Sequence, residues 1–490
     1  MFSLIFKYRT KVSEESDLIK RQPNSKQMMK NHPDMTYKRF FLMLCWLTAA
    51  INSFSNDSQR DAILSQITGA KISEAVINIQ KMGAKGNGTA DCLPAFRKAL
   101  KKAARLGGAR IVVPKGVYYI KGPLHLESNV CLEIQEGATL KFAPEPEYYL
   151  PAVKTSWEGT FLQNYSPFIY GYQLHDVSII GKGTIDGNAM TTFATWRSMQ
   201  KPAQQRSREM NHAGTPVSQR NFGEGDFLRP HLIQLFDCER ITIEDIFITN
   251  SPFWCIHLLQ SENAILRGIR FDAKLVNNDG IDPEMSRNIL IEDVHFNNGD
   301  DNVAIKSGRD HDGRGAACPS ENIIIRNCHF KGLHAVVLGS EMSAGVQNVY
   351  VENCDYAGYC KRGLYIKTNP DRGGFIRNIS FKNCIFDEVE DLFYITSMYG
   401  GEGLNNTFFT DIENITVENI QCRKARAGGL ILQGTQAKPL RNIQFRNINI
   451  GEVKNAISFD DTEDVILKDC HFGGKAGVPT TVSDKDHIFR

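Results

Sequence analysis

The stretch "RNILIEDVHF" at residues 287–296 recurs in outline along the chain. "ERITIEDIFI" (239–248) and "ENAILRGIRF" (262–271) precede it, and "ENIIIRNCHF" (321–330), "QNVYVENCDY" (347–356) and "RNISFKNCIF" (377–386) follow. "ENITVENIQC" (413–422), "RNIQFRNINI" (441–450) and "EDVILKDCHF" (463–472) complete the series. The shared outline is polar-Asn-apolar-x-apolar-x-(Asn/Asp)-apolar-x-apolar. An alternation of period two marks a strand with one buried face. The copies return every 22 to 36 residues, and a short unit with one apolar face buries it only by stacking on its neighbours. The consensus of leucine-rich repeats and the 3.6 period of helical repeats are both absent. The fold predicted is therefore all-β, a single right-handed parallel β-helix, with about three short strands per coil and equivalent residues about 4.8 Å apart between coils.

The template also predicts columns. Cys328, Cys354, Cys384 and Cys470 share one position, which reads as an interior line of thiols packed as small hydrophobes rather than as disulfides. Asn327, Asn353, Asn383, Asn419 and Asn447 share the position before it and predict a ladder of side-chain amides from coil to coil. An open solenoid end needs a cap. "TADCLPAFRKALKKAARLGG" (89–108), with Asp91 at its start and Gly107-Gly108 at its end, reads as a capping amphipathic helix. The polar segment 190–227, with Arg197, Arg206, Arg208 and Arg220, breaks the rhythm and reads as a long loop insertion beside a working groove. The solenoid pattern continues on both sides of it, so residues 56–490 are expected to form one β-helix catalytic domain.

Lys38 and Arg39 followed by an apolar run from Phe40 to Ile51 have the layout of a signal peptide. The expected organisation is an N-terminal extension and leader over 1–55, with Met35 as a candidate start. The run is too short for a confident membrane span, so the mature chain is expected to be exported without one. With 57 Lys+Arg against 55 Asp+Glu, the formal net charge is +2, and no basic block points to a nucleic-acid partner. A monomer is expected.

The acidic residues of "NNDGIDPEMSRNILIEDVHFNNGDDNVAIKSG" (277–308) fall into two clusters. Asp279 follows its template strand, starting at Ala264, by 15 residues; Asp300 and Asp301 follow Ile289 by 11 and 12; His334 follows Ile323 by 11. Lys367 follows Val349 by 18, after an insertion. All lie past the turn on the next strand of their coil, hence on one face in successive rungs. Asp279 and Asp301 are 22 residues apart, one coil in sequence and about 5 Å in space. Asp293 occupies a turn position and drops out, whereas Asp282 is a supporting neighbour. Carboxylates this close cannot all ionise freely, and the one whose pKa rises becomes a proton donor. Acid plus water-activating carboxylate is the logic of glycoside hydrolysis. His334 can tune the acid or bind a hydroxyl, and Lys367 can pair with a substrate carboxylate. Two other readings compete: a calcium cage of hard oxygen ligands, and plain turn-forming acids.

Together these motifs resemble the polygalacturonase family, inverting glycoside hydrolases that cut pectin, from about Ile77 onwards. The family's Asn-Thr-Asp-Gly-x-Asp appears as Asn277-Asn278-Asp279-Gly280-Ile281-Asp282, and its paired Asp as Gly299-Asp300-Asp301-Asn302. The resemblance implies Asp300 as general acid, Asp279 and Asp301 as holders of the attacking water, a pectic substrate, and neither metal nor cofactor. The Gly-His-Gly motif is reduced to Leu333-His334-Ala335, followed by a Gly-Ser-Glu usual in the bacterial branch. The Arg-x-Lys motif becomes Tyr365-Ile366-Lys367. The missing Arg could be replaced by Arg362 or Arg372, or Tyr365 could stack on a sugar. Walls at 155–171 and 190–227 favour action at chain ends. A polysaccharide lyase on the same solenoid, or a glycan-binding β-helix without activity, are the alternatives.

Overall fold

The computed structural model describes residues 57–400, 407–474, 480–482 and 487–489. The leader expected over 1–55, with Met35, lies outside them. From Val76 onward the chain winds as a parallel β-helix. The template strands lie in register: Val177, Ile241, Ala264, Ile289, Ile323, Val349, Ile379, Ile415, Ile443 and Val465 form one column. A second stack begins at Leu124–His125 and Ile169–Tyr172 and runs through Ile233–Phe236, Ile256–Leu259, Ile281–Glu284, Asp301–Ile305 and His334–Gly339 into Asp355–Lys367. The third face, in the N-terminal half, is a separate six-stranded parallel sheet from Asn87–Asp91 to Arg270–Asp272. The apolar residue of each alternating pair points into one continuous core.

The bends are made by asparagine. Asn288, Asn322, Asn348, Asn378, Asn414 and Asn442 have φ between 51° and 59°, and Asn327, Asn353, Asn383, Asn419 and Asn447 between 51° and 57°. Left-handed backbone is disfavoured for side chains other than Asn, Asp and Gly, so an Asn before and an Asn or Asp after each strand lets the chain turn there. The amides then bond to one another. Asn383, Asn419 and Asn447 each donate from Nδ2 to Oδ1 of Asn353, Asn383 and Asn419, at 3.2, 3.0 and 2.9 Å. The first Asn of the template makes a second ladder, unbroken from Asn288 to Asn442. Inside the adjacent bend Cys328, Cys354 and Cys384 lie in neighbouring rungs, Ile420 and Ile448 continue the line, and Cys470 ends it. All four cysteines are buried, and every cysteine among the described residues is a free thiol.

The cap is the helix Leu93–Arg105. It buries Leu93, Phe96, Ala99 and Leu100 over the first coils, and the Leu93 N–H donates to Asp91 Oδ1 at 2.9 Å. On the outer face a helical segment carries Ile63 against Leu290, Ile324 and Tyr350, with Arg60 paired to Glu352. Segment 190–227 differs from the loop expected. It contains the helices Phe193–Trp196 and Lys201–His212. The longer helix buries Ala203, Ser207 and Asn211, which are small or polar residues four apart, so no apolar period announces it. It packs on the antiparallel hairpin Val153–Trp157/Thr160–Asn164.

Asn383→Ala should cost about 1–3 kcal/mol, from left-handed strain plus two lost ladder bonds. Asn383→Gly relieves the strain only, and its smaller loss in denaturant midpoint measures the ladder.

Candidate active site

The hairpin, the insertion helix and the second strand stack enclose a cleft of about 350 Å³. Among its lining residues are Asp279, Asp300, Asp301, Lys306 and Lys367, together with Glu158, Arg208, Trp254, Arg309, Glu341, Arg372 and Tyr399. The register places the acids. Ile281 pairs with Val303, which puts Asp279 one rung from Asp301, and Asp301 pairs with His334, which pairs with Arg362. Asp300 precedes the strand that Asp301 begins, so the two escape strict alternation and both line the cleft. Gly299 permits this crossing: a Cβ there would lie 2.3 Å from the Leu275 carbonyl oxygen. Asn277 and Asn278 brace the turn. The Asn277 N–H donates to Asp300 Oδ2 at 3.2 Å, and Asn278 Nδ2 donates to the Ser251 and Phe253 carbonyls at 2.9 Å each.

Adjacent carboxyls are driven in opposite directions. Asp301 is buried, which by itself would raise its pKa, but Lys367 and His334 outweigh burial and hold it well below the usual carboxylate range. His334 Nδ1–H donates to Asp301 Oδ1 at 2.5 Å, and Lys367 Nζ to Oδ2 at 3.2 Å. Asp300 is raised, by burial first and by the Asp301 charge second. Asp279 is raised further, by burial and then by Asp282, Asp300 and Asp301. Asp282 is fully buried and also raised, by burial above all, with Lys306 opposing. The two neighbouring carboxyls are thus shifted apart, Asp301 towards its ionised form and Asp300 towards its protonated form, the direction of split an acid/base pair needs.

A layer of charge lies beneath. Lys306 Nζ is 3.4 Å from Glu341 Oε2 and 3.8 Å from Asp282 Oδ1, and sits 4.6 Å from the centroid of the Trp254 ring. Its ammonium stays charged, since its acidic neighbours outweigh burial. Glu341 takes Arg309 at 2.7 Å and is held below the usual range, the two lysines and two arginines around it overcoming its burial. Behind Lys306, Glu284 accepts from His257 Nε2 at 2.9 Å, Ser156 Oγ at 3.2 Å and the Gly308 N–H at 3.2 Å. Gln234 Nε2 donates to His257 Nδ1 at 2.9 Å, and burial pushes that imidazole down to about 3.

Residues 106–466 match the family described as Glycosyl hydrolases family 28, about three quarters of the chain. The chain belongs to glycosyl hydrolase family 28. Among solved structures it resembles a hyperthermoactive exopolygalacturonase from Thermotoga maritima, with 32% identity and a TM-score of 0.80 over 89% of this chain and 99% of that one. Among curated relatives it is 28% identical to a probable polygalacturonase of Vitis vinifera, covering 75% of this chain and 72% of that protein. It is 26% identical to an exo-poly-alpha-D-galacturonosidase of Dickeya chrysanthemi, covering 76% and 66%. The protein is a glycoside hydrolase on a parallel β-helix.

Within this hydrolase the residues expected at the site divide. Asp279, Asp300, Asp301, His334 and Lys367 come together, with Asp282 just behind. Tyr365 does not line the cleft. Its ring is 5% exposed and packs with Ala304, Val337 and Tyr394, and the exposed aromatic face belongs to Tyr399. Arg362 is also turned away: it lies between the Tyr365 and Tyr394 rings and 3.4 Å from Asp391. Arg372 reaches the cleft instead, anchored by Asp310 at 2.6 Å and the Ser340 carbonyl at 2.9 Å. Arg220, of the insertion, forms a buried pair with Asp312. Sequence reasoning missed Lys306, Arg309 and Glu341. Lys306 lies in the quoted stretch at an even spacing from Asp300, and Glu341 in the Gly-Ser-Glu, but neither declares a direction in one sequence.

Ligand atoms of Asp300, Asp301 and His334 lie within 4.8 Å of one another, a spacing a divalent cation would accept. Lys367 already sits on Asp301, and Lys306 faces Asp282, so ammonium groups of the chain compensate the acids where the calcium reading needs an ion.

Burial pushes Glu284 up to about 7, against 4.5 for an exposed glutamate, with Lys306 pulling it back. Between those values the native state binds more proton than the unfolded chain, so this group's stabilisation is complete below about pH 4.5 and is lost as pH rises through about 7. His257, lowered to about 3, contributes the opposite slope over the same range, so thermal melts of Glu284→Gln across that window should show stability rising more with pH than in the wild type; equal slopes would contradict the assignment.

Proposed function

We propose that the protein hydrolyses α-glycosidic bonds to galacturonic acid in pectic chains, with inversion at the anomeric carbon. Asp300 protonates the departing glycosidic oxygen. Asp301, with Asp279, orients water and takes its proton as the water attacks from the opposite face. The observation that carries this reading is the split between neighbouring Asp300, raised, and Asp301, lowered by His334 and Lys367. His334 acts on the carboxylate through Nδ1. The substrate class is supported by Arg208, Arg309, Lys367 and Arg372 around the cleft, which suit an anionic sugar. Of these, Lys367 stands at the rim of Asp301 and is the group best placed to meet a uronate carboxylate.

Action from a chain end is supported by the wall formed where the hairpin meets the insertion helix. Glu158 at the hairpin turn accepts from Arg208 at 2.9 Å and Gln204 at 2.8 Å, tying the two elements together at the cleft. Both relatives named for exo action point the same way. The leader-like segment before residue 56 supports export, and a single β-helix domain working as a monomer suits a dissolved or wall-bound pectic substrate.

Asp300→Asn should lower kcat by at least about a thousandfold while substrate still binds, because the acid is lost and the charge balance of the cleft is kept. NMR of fresh products should show the inverted anomer, and a chelator should leave the rate unchanged. Monogalacturonate should appear first from a long oligogalacturonide; early mid-length fragments would rule out end-wise action. Unsaturated, ultraviolet-absorbing products would instead identify a lyase.

A further inference from the structure

Lys306 is a buried ammonium with no obvious part in the acid/base step. Its side chain is 4% exposed, and lysine is rarely buried without an acidic partner. The groups facing it come from every neighbouring rung: Asp279, Asp282 and Glu284 from the turn and strand before, Asp301 from its own strand, Glu341 from the next coil, and Lys367 from the coil beyond. Neutral His257 lies on the far side. Glu341 is shared between Arg309 on Oε1 and Lys306 on Oε2, and Asp301 is claimed by His334 and Lys367. Asp282 Oδ1 lies 3.8 Å from the ammonium, and among the described residues neither oxygen of Asp282 nor Oδ1 of Asp279, all buried, has a hydrogen-bond partner. The remaining charges near this pair are Asp300 and the guanidinium of Arg229.

Two buried carboxyls in this position would both take up protons unless a cation holds one ionised. We propose that Lys306 is a positioning residue that keeps one negative charge on the Asp279–Asp282 pair, so that Asp279 can meet the attacking water as a carboxylate. The Trp254 ring over the ammonium fixes its place and shields it from water, which strengthens its field on the pair. Asp282 then serves as the reservoir that shares the proton with Asp279. This rests on the hydrolytic reading above, and it assigns the acid limb of the pH–rate profile. Asp301 is held ionised by its own two partners, so the limb that appears on acidification belongs to the Asp279–Asp282 pair.

The test is the pH dependence of kcat/KM on oligogalacturonide for Lys306→Met, Lys306→Arg and Asp282→Asn. Lys306→Met should move the acid limb up by about one pH unit or more, a tenfold loss at a pH on that limb, with partial recovery of rate at higher pH. Lys306→Arg should keep the limb near its wild-type position. Asp282→Asn removes the like charge while leaving the cation, so its limb should move down. A structural role alone predicts uniform loss with no movement of the limb. An unmoved limb in Lys306→Met overturns the proposal; where that variant does not fold, an unmoved or rising limb in Asp282→Asn does so. Asp300→Asn separates the two claims. Retained activity there defeats the hydrolytic reading itself, whereas lost activity there with an unmoved limb defeats only the role of Lys306.

Discussion

Everything in this protein depends on coil-to-coil register. Parallel hydrogen bonding holds each rung about 4.8 Å from the next, so residues one coil apart in sequence become nearest neighbours in space. A column repeats one environment many times. That is favourable for Ile and Val in the core and for amides that can donate to one neighbour and accept from the other. It is unfavourable for like charges, and at the cleft the same rule stacks Asp279 on Asp301. The scaffold therefore creates an electrostatic problem at the one place where it does chemistry.

The solution is supplied by the same register. His334 follows Asp301 in its column, and Lys306 and Lys367 lie in one neighbouring column with Gly339 between them. Each cation reaches back towards an acid. Asp301 takes two partners and is lowered; Asp300, at the mouth, takes only backbone N–H groups among the described residues and rises. Opposite pKa shifts on consecutive residues come from unequal partners rather than from any difference between the residues. The charge retained by the lysines and the neutrality of the buried His257 keep this division stable inside a low-dielectric wall.

Much of this was readable in one dimension. The period-two template, its spacing, the asparagine and cysteine positions and the one-coil interval between Asp279 and Asp301 were all visible, because a solenoid turns three-dimensional neighbours into a sequence repeat. Illegibility began where the chain left that repeat. The helix Lys201–His212 buries a face of Ala203, Ser207 and Asn211, a pattern that looks like polar loop. Arg208, Arg309 and Arg372 converge on the cleft from the insertion, a bend and a later turn, with no common spacing. Tyr365 sits where the sequence resemblance implies a substrate-binding Arg, yet its ring fills a space between Ala304, Val337 and Tyr394. Strand parity gives a face, but only packing decides whether that face meets solvent or another coil.

The solenoid, the asparagine ladder, the thiol column and the set of acids on one face are legible in one dimension, because each follows from local preference multiplied by a repeat. Packing between coils decides the direction in which each acid's pKa moves, which cations face the acids, and that Arg372 rather than Arg362 reaches the cleft. Those outcomes depend on burial and on distances of a few ångströms between side chains from different coils, and a carboxylate's pKa is set by that surrounding rather than by its place in the chain.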